Sequence, residues 1–326
     1  MKGDMPPPRG DPFMNITIVG LGGVGGIIGG RLAIAAEDVP GLRVTFWCRG
    51  DTLRNVRENG LRIAGPDGTV TVRPALATCD PAEAGIADVL FFATKGYQLE
   101  EAARAAFPLV SSSTRVIPLL NGVSAGEVLE RILPPCDLLG GCLYISSHVE
   151  SPGTIRQVGT VQRLLFGNGK LSEAENRIRY ADLEHILRKT GIQITLTERI
   201  DIEMWAKFLF LSPLAAVTTL RRRTIGAVIE DSEGRTAVLD LIREAEDLAR
   251  SLGVALPQNI ADLTLEKARS FAPDTKTSMQ LDQEQGRATE LEFLVGYVCR
   301  EGRLRGVPTP AYDRFYEGLK AICRAG

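Results

Sequence analysis

Asn15–Ala36 reads NITIVGLGGVGGIIGGRLAIAA. Ile16, Thr17, Ile18 and Val19 are β-branched, the make-up of a short strand, and the run stops at Gly20. From Gly26 to Ala36 the chain is apolar over a helical length, so the segment reads as strand, turn, helix. Gly20, Gly22 and Gly25 stand at the spacing G-x-G-x-x-G within that turn. In this context the three glycines permit, in order, a tight turn, close approach of backbone amides to a pyrophosphate, and close helix–strand packing. The helix N-terminus adds unpaired N–H groups and a favourable dipole for an anion. The backbone of Gly20, Leu21, Gly22, Gly23, Val24 and Gly25 is therefore the candidate dinucleotide cradle.

Working outward, Leu42–Gly50, Ala87–Thr94 and Thr114–Leu120 read as further strands, with helical stretches between them at Gln98–Phe107 and Ala125–Leu133. Strands alternating with helices predict a parallel, doubly wound α/β sheet. Gly141–Gly169 changes to short β-rich pieces with glycine turns, expected as a meander on the sheet edge, before a helix at Glu173–Gly191 and a strand at Ile192–Thr197. Beyond Arg199 strand signals nearly vanish, and long helical patterns end at Gly253 and Gly306, placed as C-terminal stops. The expected organisation is a leader over 1–13, an α/β Rossmann-like nucleotide-binding domain over 14–199 and an all-α domain over 200–326.

Lys plus Arg number 38 and Asp plus Glu 40, so no net field recruits nucleic acid or an anionic membrane surface. The apolar run after Lys207 falls short of the roughly 20 residues a membrane-spanning helix needs. Six scattered cysteines without a C-x-x-C pair fit neither a disulfide framework nor a zinc site, and no metal is expected. A cytoplasmic protein with a small-molecule partner is the expectation. The leader, with three successive prolines and no apolar core segment, is not a secretory signal, and Met14 is a candidate natural start.

The second strand decides which dinucleotide binds. A carboxylate at its end accepts from the ribose 2′-OH of NAD, whereas an arginine accommodates the 2′-phosphate of NADP. Arg49 comes first there and Asp51 follows, which favours NADP, with Asp51 as a helix N-cap or as the ribose-facing group of an NAD enzyme. Lys95 with Gln98, and Asn121 with Gly122, fall just past two other strands, at the carboxyl edge where ligands of open α/β sheets bind. Each is equally readable as a cap for the helix that follows.

A nicotinamide enzyme also needs a group that exchanges a proton with the substrate oxygen. His148 and His185 read as structural, and Tyr316 with Lys320, though spaced like a Tyr-x-x-x-Lys pair, lies in the last helix. Lys207 is set among Phe208, Leu209, Phe210, Leu211, Leu214 and Ala215, where desolvation would lower its pKa toward a general acid's range. A lysine snorkelling beside Glu203 one turn earlier is an equal reading. Downstream, Ser278, Asp282, Gly286, Arg287, Thr289 and Glu290 form a polar cluster, readable by itself as a helix start capped by Asp282 and Thr289.

Taken in order, the glycine loop, Lys95, Asn121-Gly122, Trp205-Ala206-Lys207, Ser278-Met279-Gln280-Leu281-Asp282 and Gly286-Arg287-Ala288-Thr289-Glu290 resemble the ketopantoate reductase family, the 2-dehydropantoate 2-reductases. The resemblance runs from about Asn15 over nearly the whole chain. It implies NADPH-dependent reduction of a 2-oxo acid to the 2-hydroxy acid, with a helical domain of the 6-phosphogluconate-dehydrogenase type that often mediates dimerisation. It also implies that Lys207 protonates the keto oxygen, Ser278 binds substrate and Glu290 meets the substrate's hydroxyl end. Lys95 and Asn121 would line the nicotinamide side and Arg49 would meet the 2′-phosphate. The pattern departs from the family at Leu211 and Ala215, four and eight residues past Lys207, where asparagines are expected, and Pro213 adds a helix-breaking residue. That departure opens the alternative of a bulkier or less polar carbonyl substrate; a non-catalytic NADP sensor is the other alternative.

Overall fold

A computed structural model describes residues 14–323, and the leader expected over residues 1–13 lies outside them. The chain forms two compact units. Among the described residues, the first comprises those up to Thr94, Glu101–Leu119 and Leu129–Glu198; the second comprises Lys95–Glu100, Leu120–Val128 and those from Arg199 on.

In the first unit the elements run β1 (Met14–Val19), α1 (Gly23–Asp38), β2 (Leu42–Trp47), α2 (Gly50–Asn59), β3 (Leu61–Gly65), β4 (Gly68–Val72), β5 (Leu76–Thr78), α3 (Pro81–Ala84), β6 (Val89–Phe92), α4 (Leu99–Ala106) and β7 (Arg115–Pro118). After α5 (Ala125–Ile132) come β8 (Asp137–Leu138), β9 (Gly140–Ser151), β10 (Thr154–Gly167), α6 (Glu173–Arg188) and β11 (Gln193–Leu196). Six strands pair in the order β5-β2-β1-β6-β7-β8, every pairing parallel, as the alternating pattern predicts. All four residues of β6 are fully buried, which is what a parallel strand covered on both faces requires.

A second sheet has the order β11-β10-β3-β4, with β9 antiparallel to β10. The stretch expected as an edge meander is thus a long hairpin in a separate sheet. Its partners β3 and β4 form a hairpin closed by Pro66-Asp67. β4 is not among the strands expected above, although Thr69, Val70, Thr71 and Val72 alternate after the Pro66-Asp67-Gly68 turn; four of its five residues are exposed.

Helix α1 runs between elements of both sheets, and its glycines are what let it do so. A Cβ on Gly26 would sit 2.4 Å from Ile155 of β10, one on Gly30 2.2 Å from Ile63 of β3, and one on Gly29 2.8 Å from Phe46 of β2. Close packing against Phe46, Ile18 and Ile155, all essentially buried, offsets the helix propensity these glycines forgo.

The second unit is built around α7 (Ile200–Arg221), followed by α8 (Ile225–Glu230), α9 (Ser232–Ser251), α10 (Ile260–Arg269), α11 (Ser278–Glu284), a π-helical turn (Glu292–Gly296), α12 (Tyr297–Arg305) and α13 (Pro310–Lys320). No strand follows Arg199 among the described residues. Gly253 and Gly306 both adopt positive φ just past α9 and α12, as stops do. Trp205, Phe208 and Tyr297 pack edge-on at the heart of this core. α7 continues through Pro213, and the adjacent Ser212 hydroxyl donates to the carbonyl of Leu294 in the π-helical turn at 3.0 Å. Among the described residues no helix is long and apolar enough to cross a membrane.

Candidate active site

The candidate nucleotide cradle lies in the first unit. Gly20 has φ +93, a conformation that costs glycine little, and any Cβ there would meet the side chain of Thr94 at 2.8 Å. A Cβ on Gly25 would stand 1.9 Å from the carbonyl oxygen of Gly20, so helix α1 can follow the loop this tightly only with glycine at that position. Gly22 is the N-cap of α1 and supplies no side-chain cap, and no acidic residue occupies the first turn. The early amides of such a helix have no intrahelical acceptor, and the end carries partial positive charge. Beside the loop, the buried hydroxyl oxygens of Thr94 and Ser147 have no hydrogen-bond partner among the described residues. Ser147 also flanks Gly23, where a Cβ would lie 2.9 Å from its hydroxyl. Free amides, no competing carboxylate and two unsatisfied hydroxyls fit a dinucleotide's diphosphate.

Arg49 is the N-cap of α2, directly past β2, and is exposed. Its guanidinium donates to Glu101 of α4 through both terminal nitrogens, the longer contact at 3.4 Å. That hydrogen bond and the charge pairing hold Arg49 above, and Glu101 below, their ordinary pKa values. Asp51 sits in the first turn of α2 and pairs with Arg54 at 3.2 Å. It is not the N-cap expected from the sequence: Arg49 holds that position, and Asp51, two residues on, lies inside the first turn, where its negative charge suits the helix dipole.

The second unit gathers residues from distant parts of the chain. The ammonium of Lys95, at the N-cap of the 3-10 turn Gly96–Gln98, donates to Asp282 at 3.0 Å and to Glu290 at 3.4 Å. The other Glu290 oxygen accepts from the Gly96 amide at 3.0 Å. Arg287 donates from Nε to the second Asp282 oxygen at 2.8 Å. The result is a chain of contacts, Arg287 to Asp282 to Lys95 to Glu290 to the Gly96 amide, in which both carboxylates are nearly buried and both cations are partly exposed. Burial pulls the Lys95 ammonium down, but Glu290 and Asp282 outweigh it and hold the group above the ordinary lysine value. Lys95 therefore stays a cation. Asp282, readable from sequence as a helix cap, is instead the hinge of this network: Thr277 caps α11, accepting from the Gln280 amide at 3.4 Å. The S-M-x-x-D spacing was the available signal for it.

Asn121 is half-buried beside Gly122, whose φ is +99. The Phe293 ring fills the space at Gly122 and Gly96 alike, since a Cβ would fall 2.9 Å and 2.5 Å from it respectively. Phe293 begins beside Glu290 and belongs to the π-helical turn, a helix distortion common at functional sites. Gln98 is half-buried, its amide bonded to the Lys95 carbonyl at 2.9 Å. Ser278 is exposed at the first position of α11, next to Thr277, whose hydroxyl meets that of Thr218 on α7 at 2.9 Å. Lys207 is half-buried on α7, between the buried Trp205 and Phe208. Of the two positions where asparagine was expected, Leu211 is half-buried, whereas Ala215 is buried in the helical core. His148 and His185 are both exposed, and Tyr316 donates to Glu292 at 2.6 Å. Among the described residues no group of His, Cys, Asp and Glu is placed to hold a metal ion.

The chain is similar to known proteins over nearly its whole length. Residues 16–170 match the family "Ketopantoate reductase PanE/ApbA", and residues 199–323 match its C-terminal counterpart. An uncharacterized oxidoreductase of Bacillus subtilis, YkpB, is 30% identical over 94% of this chain and 98% of its own length. A 2-dehydropantoate 2-reductase of Mesorhizobium japonicum is also 30% identical, over 92% of this chain and 95% of its own. Among solved structures, 2-dehydropantoate 2-reductase from Porphyromonas gingivalis superposes with a TM-score of 0.82 at 30% identity, covering 95% of this chain and all of that one. A parallel nucleotide-binding sheet, a helical unit and these matches over both lead to one assignment: the chain belongs to the ketopantoate reductase family of oxidoreductases.

Proposed function

We propose that the protein reduces a 2-oxo acid of the ketopantoate type to its 2-hydroxy acid with NADPH, Lys207 being the proton donor. The observation that carries this reading is the ionic network in which Lys95 meets Asp282, 187 residues away, and Glu290, within the unit that also holds Lys207 and Ser278. A folded chain that places two nearly buried carboxylates against a lysine and a backbone amide gains little stability from doing so, which points to a use in recognition.

A bound nicotinamide supplies hydride to the 2-oxo carbon. The Gly20–Gly25 loop and the start of α1 hold its diphosphate, with the Thr94 and Ser147 hydroxyls as further donors, and Arg49 meets the 2′-phosphate. As the carbonyl carbon gains hydride its oxygen gains negative charge; Lys207 donates the proton that makes it a hydroxyl and recovers one from solvent. Ser278 and Asn121 bind and orient the substrate. Glu290 accepts from a substrate hydroxyl: its two oxygens already receive Gly96 and Lys95, yet a carboxylate offers about four acceptor sites. Lys95, Asn121 and Gln98 line the nicotinamide side.

A second reading, a less polar substrate than ketopantoate, is favoured by Leu211, an apolar, half-buried side chain one turn beyond Lys207. Purified protein given NADPH and a series of 2-oxo acids, with loss of reduced-nicotinamide absorbance as the readout, separates the two. Strong turnover of ketopantoate supports the first reading, and turnover only of bulkier apolar 2-oxo acids supports the second. In Lys207→Ala, turnover falls by about 100-fold or more while NADPH still binds. Unchanged turnover in that variant would remove Lys207 from the mechanism.

A further inference from the structure

The nucleotide-binding unit contains a carboxylate where the cofactor reading calls for a free cation. Arg49 stands at the strand end that faces the ribose of a dinucleotide in this fold, and its guanidinium is already paired through both terminal nitrogens with Glu101. The partner comes from another element: Glu101 lies in the first turn of α4, 52 residues further along the chain. Both side chains are about two-thirds exposed, at 68% and 64%, so the pair lies in solvent where a ligand can reach it. There is also room beside it, because a Cβ built on Gly50 meets no atom within 4 Å. Asp51, the other acid at this strand end, is turned to Arg54. Glu101 is therefore the carboxylate that engages the 2′-phosphate-recognising fork.

We propose that Glu101 is a cofactor-selectivity residue: its carboxylate competes with a 2′-phosphate for the Arg49 guanidinium and so narrows the protein's preference for NADPH over NADH. The physical argument is a difference between two cofactors. A 2′-phosphate brings anionic oxygens that accept from the guanidinium fork in a bidentate manner, as the carboxylate already there does, so its binding must break the Arg49–Glu101 pair or place two anions on one cation. NADH brings a neutral hydroxyl and leaves the pair in place. Specificity set by a competing group of this kind works through repulsion of one ligand as much as attraction of the other. The exposed setting keeps the effect moderate, since solvent-screened pairs are individually weak. The proposal rests on the reading of Arg49 as the 2′-phosphate residue, and the test separates the two.

Dissociation constants for NADPH and NADH are measured by cofactor fluorescence titration on the full chain as wild type, Glu101→Gln, Arg49→Ala and the double variant. In Glu101→Gln the preference ratio shifts toward NADPH by about three- to fivefold, the size expected for release of one exposed ion pair. In the Arg49→Ala background the same substitution leaves the ratio unchanged, because the competed group is gone. An unchanged ratio in Glu101→Gln, or an equal shift with and without Arg49, overturns the role of Glu101. The Arg49 reading fails on a different result, an NADPH affinity that Arg49→Ala does not weaken. Glutamine is close in size to glutamate and the site is exposed, so the fold is retained; an unaltered thermal melt of Glu101→Gln verifies it.

Discussion

Lys95 shows what a single side chain contributes here and where its limits lie. It neutralises two carboxylates that expose only 10% and 7% of their side chains, and Arg287 serves one of them. Removing Lys95 leaves Glu290 with the Gly96 amide alone, so Lys95→Met should cost about 1–3 kcal/mol of stability, the penalty of a buried polar group deprived of its partner. Urea unfolding measures this, and a variant as stable as wild type would mean the network is energetically idle. The pH dependence has a definite sign. The folded-state pKa of Lys95 is raised, so its contribution is complete below the ordinary lysine range and is lost as pH rises through the folded value. Lys95→Arg, whose charge persists there, should lose less stability than wild type on the alkaline side. At this scale the sequence was legible in part. The spacing past each strand marked Lys95 and Asn121, but Lys95 was readable only as a group lining the ligand edge or capping a helix, since nothing local reveals a partner 187 residues away. Asp282 was readable as a cap for the same reason: a carboxylate near a helix start has that local role by default.

Among elements, the helix that follows the glycine loop carries the most information. The third motif glycine faces the carbonyl of the first at 1.9 Å from any added Cβ, and no flexible side chain is there to yield. Gly25→Ala should therefore weaken cofactor binding by about tenfold or more and cost about 1–3 kcal/mol, the usual penalty of overpacking. Gly126, inside α5, is the contrasting case. An added Cβ there meets nothing within 4 Å and the backbone is helical, so Gly126→Ala should stabilise by about 0.5–1 kcal/mol. Thermal melts of both variants, with cofactor titration of the first, verify the pair. If the two substitutions had the same effect, crowding at Gly25 would not be the reason for its glycine. Strands β1, β2, β6 and β7 were legible because they are short, mostly buried runs rich in β-branched and aromatic residues, β6 being apolar throughout. The β3–β4 hairpin was not among them, although the Pro66-Asp67-Gly68 turn and the Thr–Val alternation after it carry a hairpin signal. The place of β9 and β10 in a second sheet was hidden, since pairing with β3 and β11 is a long-range choice that local alternation does not encode.

On the scale of the whole molecule, the loop glycines, Arg49, Thr94 and Ser147 belong to one compact unit, while Lys207, Ser278, Lys95 and Glu290 belong to the other. The proposed cofactor cradle and the proposed proton donor thus belong to different compact units, and the chain's two tryptophans report on those units separately. Trp47 is buried at the end of β2, two residues before Arg49, and Trp205 is buried in the helical core, two residues before Lys207. A ligand that binds only the folded state stabilises it by RT ln(1 + [L]/Kd), about 2.7 kcal/mol at a hundredfold excess over Kd. In Trp205→Phe, where Trp47 alone fluoresces, NADPH at that excess should raise the unfolding midpoint by several degrees. Adding Gly25→Ala should cut the rise to about half or less, because a tenfold weaker affinity leaves only about 1.4 kcal/mol of that stabilisation. Adding Lys207→Ala should preserve it while eliminating turnover, since proton donation and diphosphate binding use different groups. A Lys207→Ala variant that lost the cofactor-induced rise along with its turnover would make Lys207 a binding residue, and the division of labour between cradle and proton donor would have to be abandoned.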